Sequence, residues 1–77
     1  MAKTAFYDSL LAQLTGLVEG EPDLIANLSN ISALLNLALS DLNWVGFYLL
    51  RSSDELVLGP FQGKPACIRI PVGKGVC

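Results

Sequence analysis

The chain contains no histidine, which excludes a histidine-based catalytic triad and a histidine-ligated zinc site within it. Cysteine is nearly as scarce: there are 2, Cys67 and Cys77, and two thiols alone do not complete a metal site. Charged residues make up only 16% of the chain, the formal net charge is −2, and the few Lys and Arg are scattered. The basic face that non-specific nucleic-acid binding needs is therefore missing. No apolar run approaches the ~18–20 residues of a membrane span. The opening Met1–Tyr7 lacks the apolar core of a signal peptide. The resulting expectation is a cytoplasmic chain that engages neither nucleic acid nor membrane. In that compartment two cysteines point to redox activity or simple burial rather than to a structural staple.

Apolar residues are abundant instead, at 52% of the chain. Seventy-seven residues form at most one small domain, and a chain this short buries only a modest share of its surface. A substantial apolar surface is therefore expected to meet a partner chain, a symmetry mate or a continuation of the chain. The last of these is favoured by Gly73-Lys74-Gly75-Val76-Cys77, a glycine turn that leads into apolar residues with no polar tail.

The pattern divides the chain at about Asn43. Before it, Tyr7, Leu10, Leu11, Leu14, Leu17 and Val18 recur at helical spacing, which predicts a helix over 4–19 with Thr4 as its cap and Gly20 as its stop. A second helix is predicted over 22–39, with Pro22 in its first turn. Its stripe of Leu24, Ile25, Leu28, Ile31, Leu35, Ala38 and Leu39, widened by Leu34 and Leu37, predicts deeper burial than for the first helix.

From Asn43 onward aromatic and β-branched residues dominate. A strand is predicted over 43–50, with Trp44, Gly46, Tyr48 and Leu50 on one face and Val45, Phe47 and Leu49 on the other. Both faces are apolar, as in a central strand covered on both sides. Two large rings flank Gly46, which either leaves room for a small ligand above the glycine or simply fills the core. Arg51–Asp54 reads as a polar turn. Strands over 55–59 and 66–70 follow, the first broken by Gly59-Pro60, the second carrying Cys67 and Arg69 on one face. Phe61–Pro65 reads as a loop. Two helices followed by a strand meander predict an α+β fold, with both helices on one side of an antiparallel sheet.

Little of this composition carries chemistry. Gly73-Lys74-Gly75 lacks both the spacing and the Lys-Ser/Thr ending of a phosphate-binding loop, and reads as a turn. The seven carboxylates fall at helix ends and turns, and no acid–base pair stands out. Cys67 and Cys77 stand on either side of a glycine turn that can bring their sulfurs within bonding reach. A helix starting near Cys77 would favour its thiolate. Two buried, inert thiols fit the pattern as well, and the residues alone leave these readings open.

The run Asn43-Trp-Val-Gly-Phe-Tyr-Leu-Leu50, followed by Leu56-Val-Leu-Gly-Pro-Phe-Gln-Gly-Lys-Pro-Ala-Cys-Ile-Arg-Ile-Pro-Val-Gly-Lys-Gly-Val-Cys77, closely resembles the free methionine-(R)-sulfoxide reductases, enzymes built on a GAF domain. The helical half, with its Lys3-Thr-Ala-Phe-Tyr7 opening, is also similar to theirs. The resemblance covers the whole chain and implies that residues 1–77 are the N-terminal part of a single GAF domain, since family members are longer. It implies that Trp44 and Tyr48 hold the methyl-sulfoxide end of free methionine-(R)-sulfoxide. It implies, further, that Cys67 and Cys77 are resolving members of a three-cysteine redox set. The attacking cysteine and the acidic residues that grip the substrate would lie beyond residue 77. Thioredoxin is the implied reductant, and neither a metal nor an organic cofactor is called for. Two alternatives stand beside this: a non-catalytic GAF-type binding module, and an inactive fragment that needs its C-terminal half or a second copy of itself.

Overall fold

The computed structural model describes residues 2–73. Its elements are α1 (Ala2–Val18), α2 (Leu24–Ala38), β1 (Trp44–Ser52), β2 (Glu55–Gly63) and β3 (Arg69–Pro71). Two helices pack with a three-stranded antiparallel sheet of order β1-β2-β3, the α+β arrangement that the residue pattern predicts.

Helix α1 starts earlier than expected. Ala2 and Lys3 are good helix formers, so the helix runs back to Ala2 and Thr4 lies inside it rather than at its cap. Gly20, at φ 79°, supplies the left-handed turn that ends it. Asp23 caps α2 from an extended conformation, its carboxylate accepting the Ala26 N–H at 2.7 Å. Pro22 therefore precedes the cap instead of occupying the first turn. The link is fastened on both sides: Glu21 accepts the Asp23 N–H at 2.9 Å, and the Asn27 side-chain amide donates to the Glu21 carbonyl at 2.8 Å. Helix α2 ends at Ala38, with the Leu39 N–H donating to the Leu35 carbonyl at 2.9 Å.

β1 and β2 form a hairpin about Ser53 and Asp54, paired from Ser52↔Glu55 out to Trp44↔Gly63. β2 does not stop at Gly59-Pro60. Gly46 pairs with Phe61 and Tyr48 with Leu58, so Phe47 alone opposes Gly59 and Pro60. This is a β-bulge, a place where the ladder tolerates a residue without an N–H. The strand thus absorbs the insertion and continues to Gly63, and Phe61–Gly63 belong to the sheet rather than to a loop. β3 is shorter and later than expected. Pro65 cannot donate to a ladder, and regular pairing starts only at Arg69, leaving Cys67 on the link before the strand. Within the described sheet β2 is the central strand and β1 lies at an edge.

Helix α2 lies across β1 and β2, whereas α1 rests on α2 and not on the strands. The deepest point of this contact is Ser32, fully buried, whose hydroxyl donates to the Pro60 carbonyl at 3.3 Å. Among the described residues only Ser32 and Leu10 are buried. The chain exposes 5678 Å², against roughly 4,500 Å² for a folded monomer of its mass. Its radius of gyration is 14.4 Å, against about 11–12 Å for a compact chain of this length. Leu11, Leu24, Leu37, Leu50 and Ile68 stand in solvent. The apolar excess of the sequence is thus unmet by this half-open architecture.

Candidate functional site

β1 presents Trp44, Gly46 and Tyr48 on one face, and the ladder sets Phe61 of β2 opposite Gly46 and Gly63 opposite Trp44. The three rings gather there. Trp44 stacks on Phe61 with centroids 5.5 Å apart and planes at 17°, and on Tyr48 at 6.1 Å and 27°. Such offset stacks add ~0.5–1.5 kcal/mol each beyond area burial.

The two glycines form the bed of the indole. A Cβ on Gly46 would collide with the Phe61 Cβ and come within 2.8 Å of Trp44 Cη2. A Cβ on Gly63 would come within 2.8 Å of Trp44 Cδ1 and 2.9 Å of the Asn43 carbonyl. The indole therefore spans from one glycine to the other, and the space above Gly46 is filled by Trp44 and Phe61. Of the two readings of the rings that flank Gly46, a gap for a small ligand or a filled core, the structure has the filled one: an aromatic residue from the neighbouring strand covers the glycine, a common way for sheets to protect one.

Two polar handles distinguish this cluster from plain packing. The Trp44 indole N–H is buried and has no hydrogen-bond partner among the described residues. A donor in that condition costs about 1–3 kcal/mol and is satisfied by an acceptor brought to it. The Tyr48 hydroxyl donates to the Cys67 carbonyl at 2.7 Å, which fixes the Cys67 backbone beside the aromatic cluster. Cys67 is disulfide-bonded. Of the residues singled out from the sequence, Trp44, Tyr48 and Cys67 are thus brought together, and Cys77 lies outside the described residues. Phe61 completes the cluster and was missed. The signal for it was its position two residues before Gly63, obscured by the expectation that Gly59-Pro60 ends the strand.

A second concavity, an open groove of about 540 Å³, lies between the start of α1 and the end of α2 and is lined by Phe6, Tyr7, Ala38, Leu39, Asp41 and Leu42 among others. Among the described residues, neither the ring cluster nor Cys67 borders it; its polar groups are Tyr7, Ser40 and Asp41. Among the described residues no three His, Cys, Asp or Glu side chains gather to hold a metal ion. No helix among the described residues is long and apolar enough to cross a membrane.

No family model matches the chain. Known proteins do. The chain is 58% identical over 77 residues to the free methionine-R-sulfoxide reductase of Escherichia coli, covering all of this chain and 46% of the relative. Among solved structures, the free methionine-R-sulfoxide reductase of Neisseria meningitidis, in complex with its substrate, superposes with a TM-score of 0.88 at 53% identity, over 97% of this chain and 45% of that one. A GAF sensor protein of Burkholderia vietnamiensis superposes with a TM-score of 0.89 at 57% identity, over 100% of this chain and 48% of that one. The chain spans about half the length of the relatives it matches.

Proposed function

Because this chain belongs to the free methionine-R-sulfoxide reductase family of GAF-fold proteins, of which it presents an N-terminal portion, we propose that it contributes pocket rings and redox cysteines to the reduction of free methionine-(R)-sulfoxide. The observation that carries this reading is the juxtaposition of a buried indole N–H, unpartnered among the described residues, with a tyrosine whose hydroxyl holds the Cys67 backbone. A sulfoxide offers what this site lacks: an oxygen that accepts the Trp44 N–H, and a methyl group that packs on aromatic faces.

Thiols supply the electrons of this reduction. A cysteine thiolate attacks the sulfoxide sulfur. The sulfoxide oxygen, protonated by an acidic group of the remainder of the domain, passes to the cysteine as a sulfenic acid, and methionine leaves with the electron pair of the broken S–O bond. A second thiol displaces that oxygen as water and forms a disulfide, which thioredoxin then reduces by exchange. In this reading Cys77 is the main resolving thiol, and Cys67 is a second one whose bonded state corresponds to an oxidised form. The attacking thiol is a third cysteine, supplied by the remainder of the domain. The reading requires no metal or organic cofactor.

The test is a chimera in which this chain is continued by the portion of the Escherichia coli relative that it does not cover. We expect thioredoxin-dependent turnover of the free R-sulfoxide and none of the S epimer, with turnover strongly reduced by Trp44→Ala and by Cys77→Ser. A chimera that binds the sulfoxide but turns nothing over would sink the reductase reading. It would favour the second one, a GAF-type binding module, to which the likeness to the Burkholderia sensor protein lends support.

A further inference from the structure

Tyr48 makes its two contacts at opposite ends of one side chain. Its ring lies against Trp44, with centroids 6.1 Å apart, and its hydroxyl donates to the Cys67 carbonyl at 2.7 Å. The backbone it holds is not otherwise part of a strand: Cys67 sits on the irregular link between β2 and β3. The next carbonyl, that of Ile68, accepts the Leu58 N–H at 2.8 Å. Tyr48 and Leu58 are themselves ladder partners. Two consecutive carbonyls beside the bridged cysteine are thus held by two facing residues of the same hairpin, one by its side chain and one by its backbone.

We propose that Tyr48 is a positioning residue that ties the disulfide state of Cys67 to the packing of Trp44. A disulfide restricts where the Cα atoms of its cysteines can stand, to separations of about 4.4–6.8 Å. Opening the bridge lifts that restriction at Cys67. The carbonyl of the same residue is bonded to Tyr48, so any relaxation there is carried to the hydroxyl, through a rigid ring, and on to the indole. The indole, confined between two glycines and Phe61, has little room to adjust except as a body. In a sulfoxide reductase this would let the aromatic contacts differ between the thiol and disulfide forms. The inference rests on the proposed function only for that last consequence. The coupling itself needs no substrate, so its test fails or succeeds independently of the reductase reading.

Trp44 is the single tryptophan of the chain, so its emission reports on this site alone. The experiment titrates the 77-residue chain with dithiothreitol in known reduced-to-oxidised ratios, reading Trp44 emission while free thiols are counted in parallel. Each reductant molecule passes two electrons and two protons to the bridge, leaving two thiols on the protein and a cyclic disulfide on the reductant. We expect the emission to shift in step with thiol release. Tyr48→Phe keeps the ring and removes the hydroxyl; it should release its thiols yet lose most of the emission response. Tyr7→Phe, on the exposed part of α1, should keep the full response. A wild-type emission that ignores the thiol titration would overturn the proposal, and so would a folded Tyr48→Phe variant with an undiminished response. The first of these arms needs no variant and stands even if Tyr48→Phe does not fold.

Discussion

The hydroxyl of Ser32 on α2 donates to the carbonyl of Pro60 on β2 at 3.3 Å, from a position with no exposure to solvent. It is the contact by which a helix reaches the bulge that keeps β2 running past a proline. A bulge sets two residues against one, and here α2 meets the carbonyl of one of the two. Ser32→Ala should cost about 1 kcal/mol, the usual worth of such a bond together with the polar group it leaves, and lower the melting midpoint by roughly 4–8 °C for a chain of this size. Ser32→Leu has nowhere to put the added volume and should cost more, on the order of 1–3 kcal/mol. Urea unfolding followed by circular dichroism measures both. A Ser32→Ala variant as stable as the parent would show that the bond contributes nothing.

Two glycines should respond to the same substitution with opposite sign. Gly46→Ala places a Cβ against Phe61 backbone and side chain and within 2.8 Å of Trp44 Cη2; ladder and indole cannot both stay in place, and a loss of at least 1–3 kcal/mol is expected. The near-ultraviolet dichroism of Trp44 should collapse with it. Gly16→Ala, in the middle of α1 with nothing within 4 Å of the added carbon, should stabilise by about 0.5–1 kcal/mol. Equal effects at the two sites would mean that the indole does not lie over Gly46.

These contrasts show which parts of the molecule could be read from residues alone. Both helices and the hairpin followed from periodicity, because the 3.6- and 2-residue repeats of Leu10–Val18, Leu24–Leu39 and Trp44–Leu50 are local signals. The bulge was not legible. Gly59-Pro60 reads as a stop because a proline cannot donate to a ladder, and only the pairing of Phe61 with Gly46, a non-local fact, shows that the strand resumes. That one misreading displaced Phe61 from the site and left the space above Gly46 seemingly open. Ser32 escaped notice for a related reason: in a stripe of leucines a serine reads as the polar face, yet tertiary contact makes it the most buried of the described residues. Trp44 and Tyr48 were legible as rings on one face. The bond from Tyr48 to Cys67 was not, since it crosses the central strand.

The start of α2 offers a cleaner energetic test, because its cap is exposed. Asp23 accepts the Ala26 N–H at 2.7 Å, one of the backbone donors that a helix start leaves unpaired. Asp23→Ala should cost about 1 kcal/mol, whereas Asp23→Asn keeps an acceptor in place and should cost little. Amide exchange at Ala26 should speed up in the alanine variant and stay near the parent rate in the asparagine one. Equal exchange in both would show that Asp23 acts through its charge rather than through the bond.

Arg69 and Glu55 meet across β2 and β3 at 2.8 Å, with side chains 61% and 38% exposed. The short distance invites a large assignment, but exposure argues against one. Solvent screening and the entropy of holding two mobile side chains reduce such pairs to about 0–1 kcal/mol. A double-mutant cycle with Arg69→Ala and Glu55→Ala should therefore return a coupling below about 1 kcal/mol, smaller still in high salt. A coupling well above that would show that the pair is far less hydrated than its exposure indicates.

The open architecture has a consequence for the isolated chain. An unfolded chain of this mass exposes ~11,900 Å², so the 5678 Å² left after folding means that about half of the surface is buried. Even a 60-residue domain ordinarily buries about 60%. The deficit is apolar and lies partly on an edge: Leu50 of β1, an edge strand within the described sheet, is 64% exposed. A long edge strand carrying an exposed leucine is a surface on which another chain can pair. We expect sedimentation of the purified 77-residue chain to give an average mass that rises above 8.2 kDa with concentration. Leu50→Lys, which places a charge on that strand, should suppress the rise while leaving the helical dichroism unchanged. A chain that stays monomeric at all concentrations and unfolds in one sharp step would count against this, because such cooperativity needs a core larger than Leu10 and Ser32 provide.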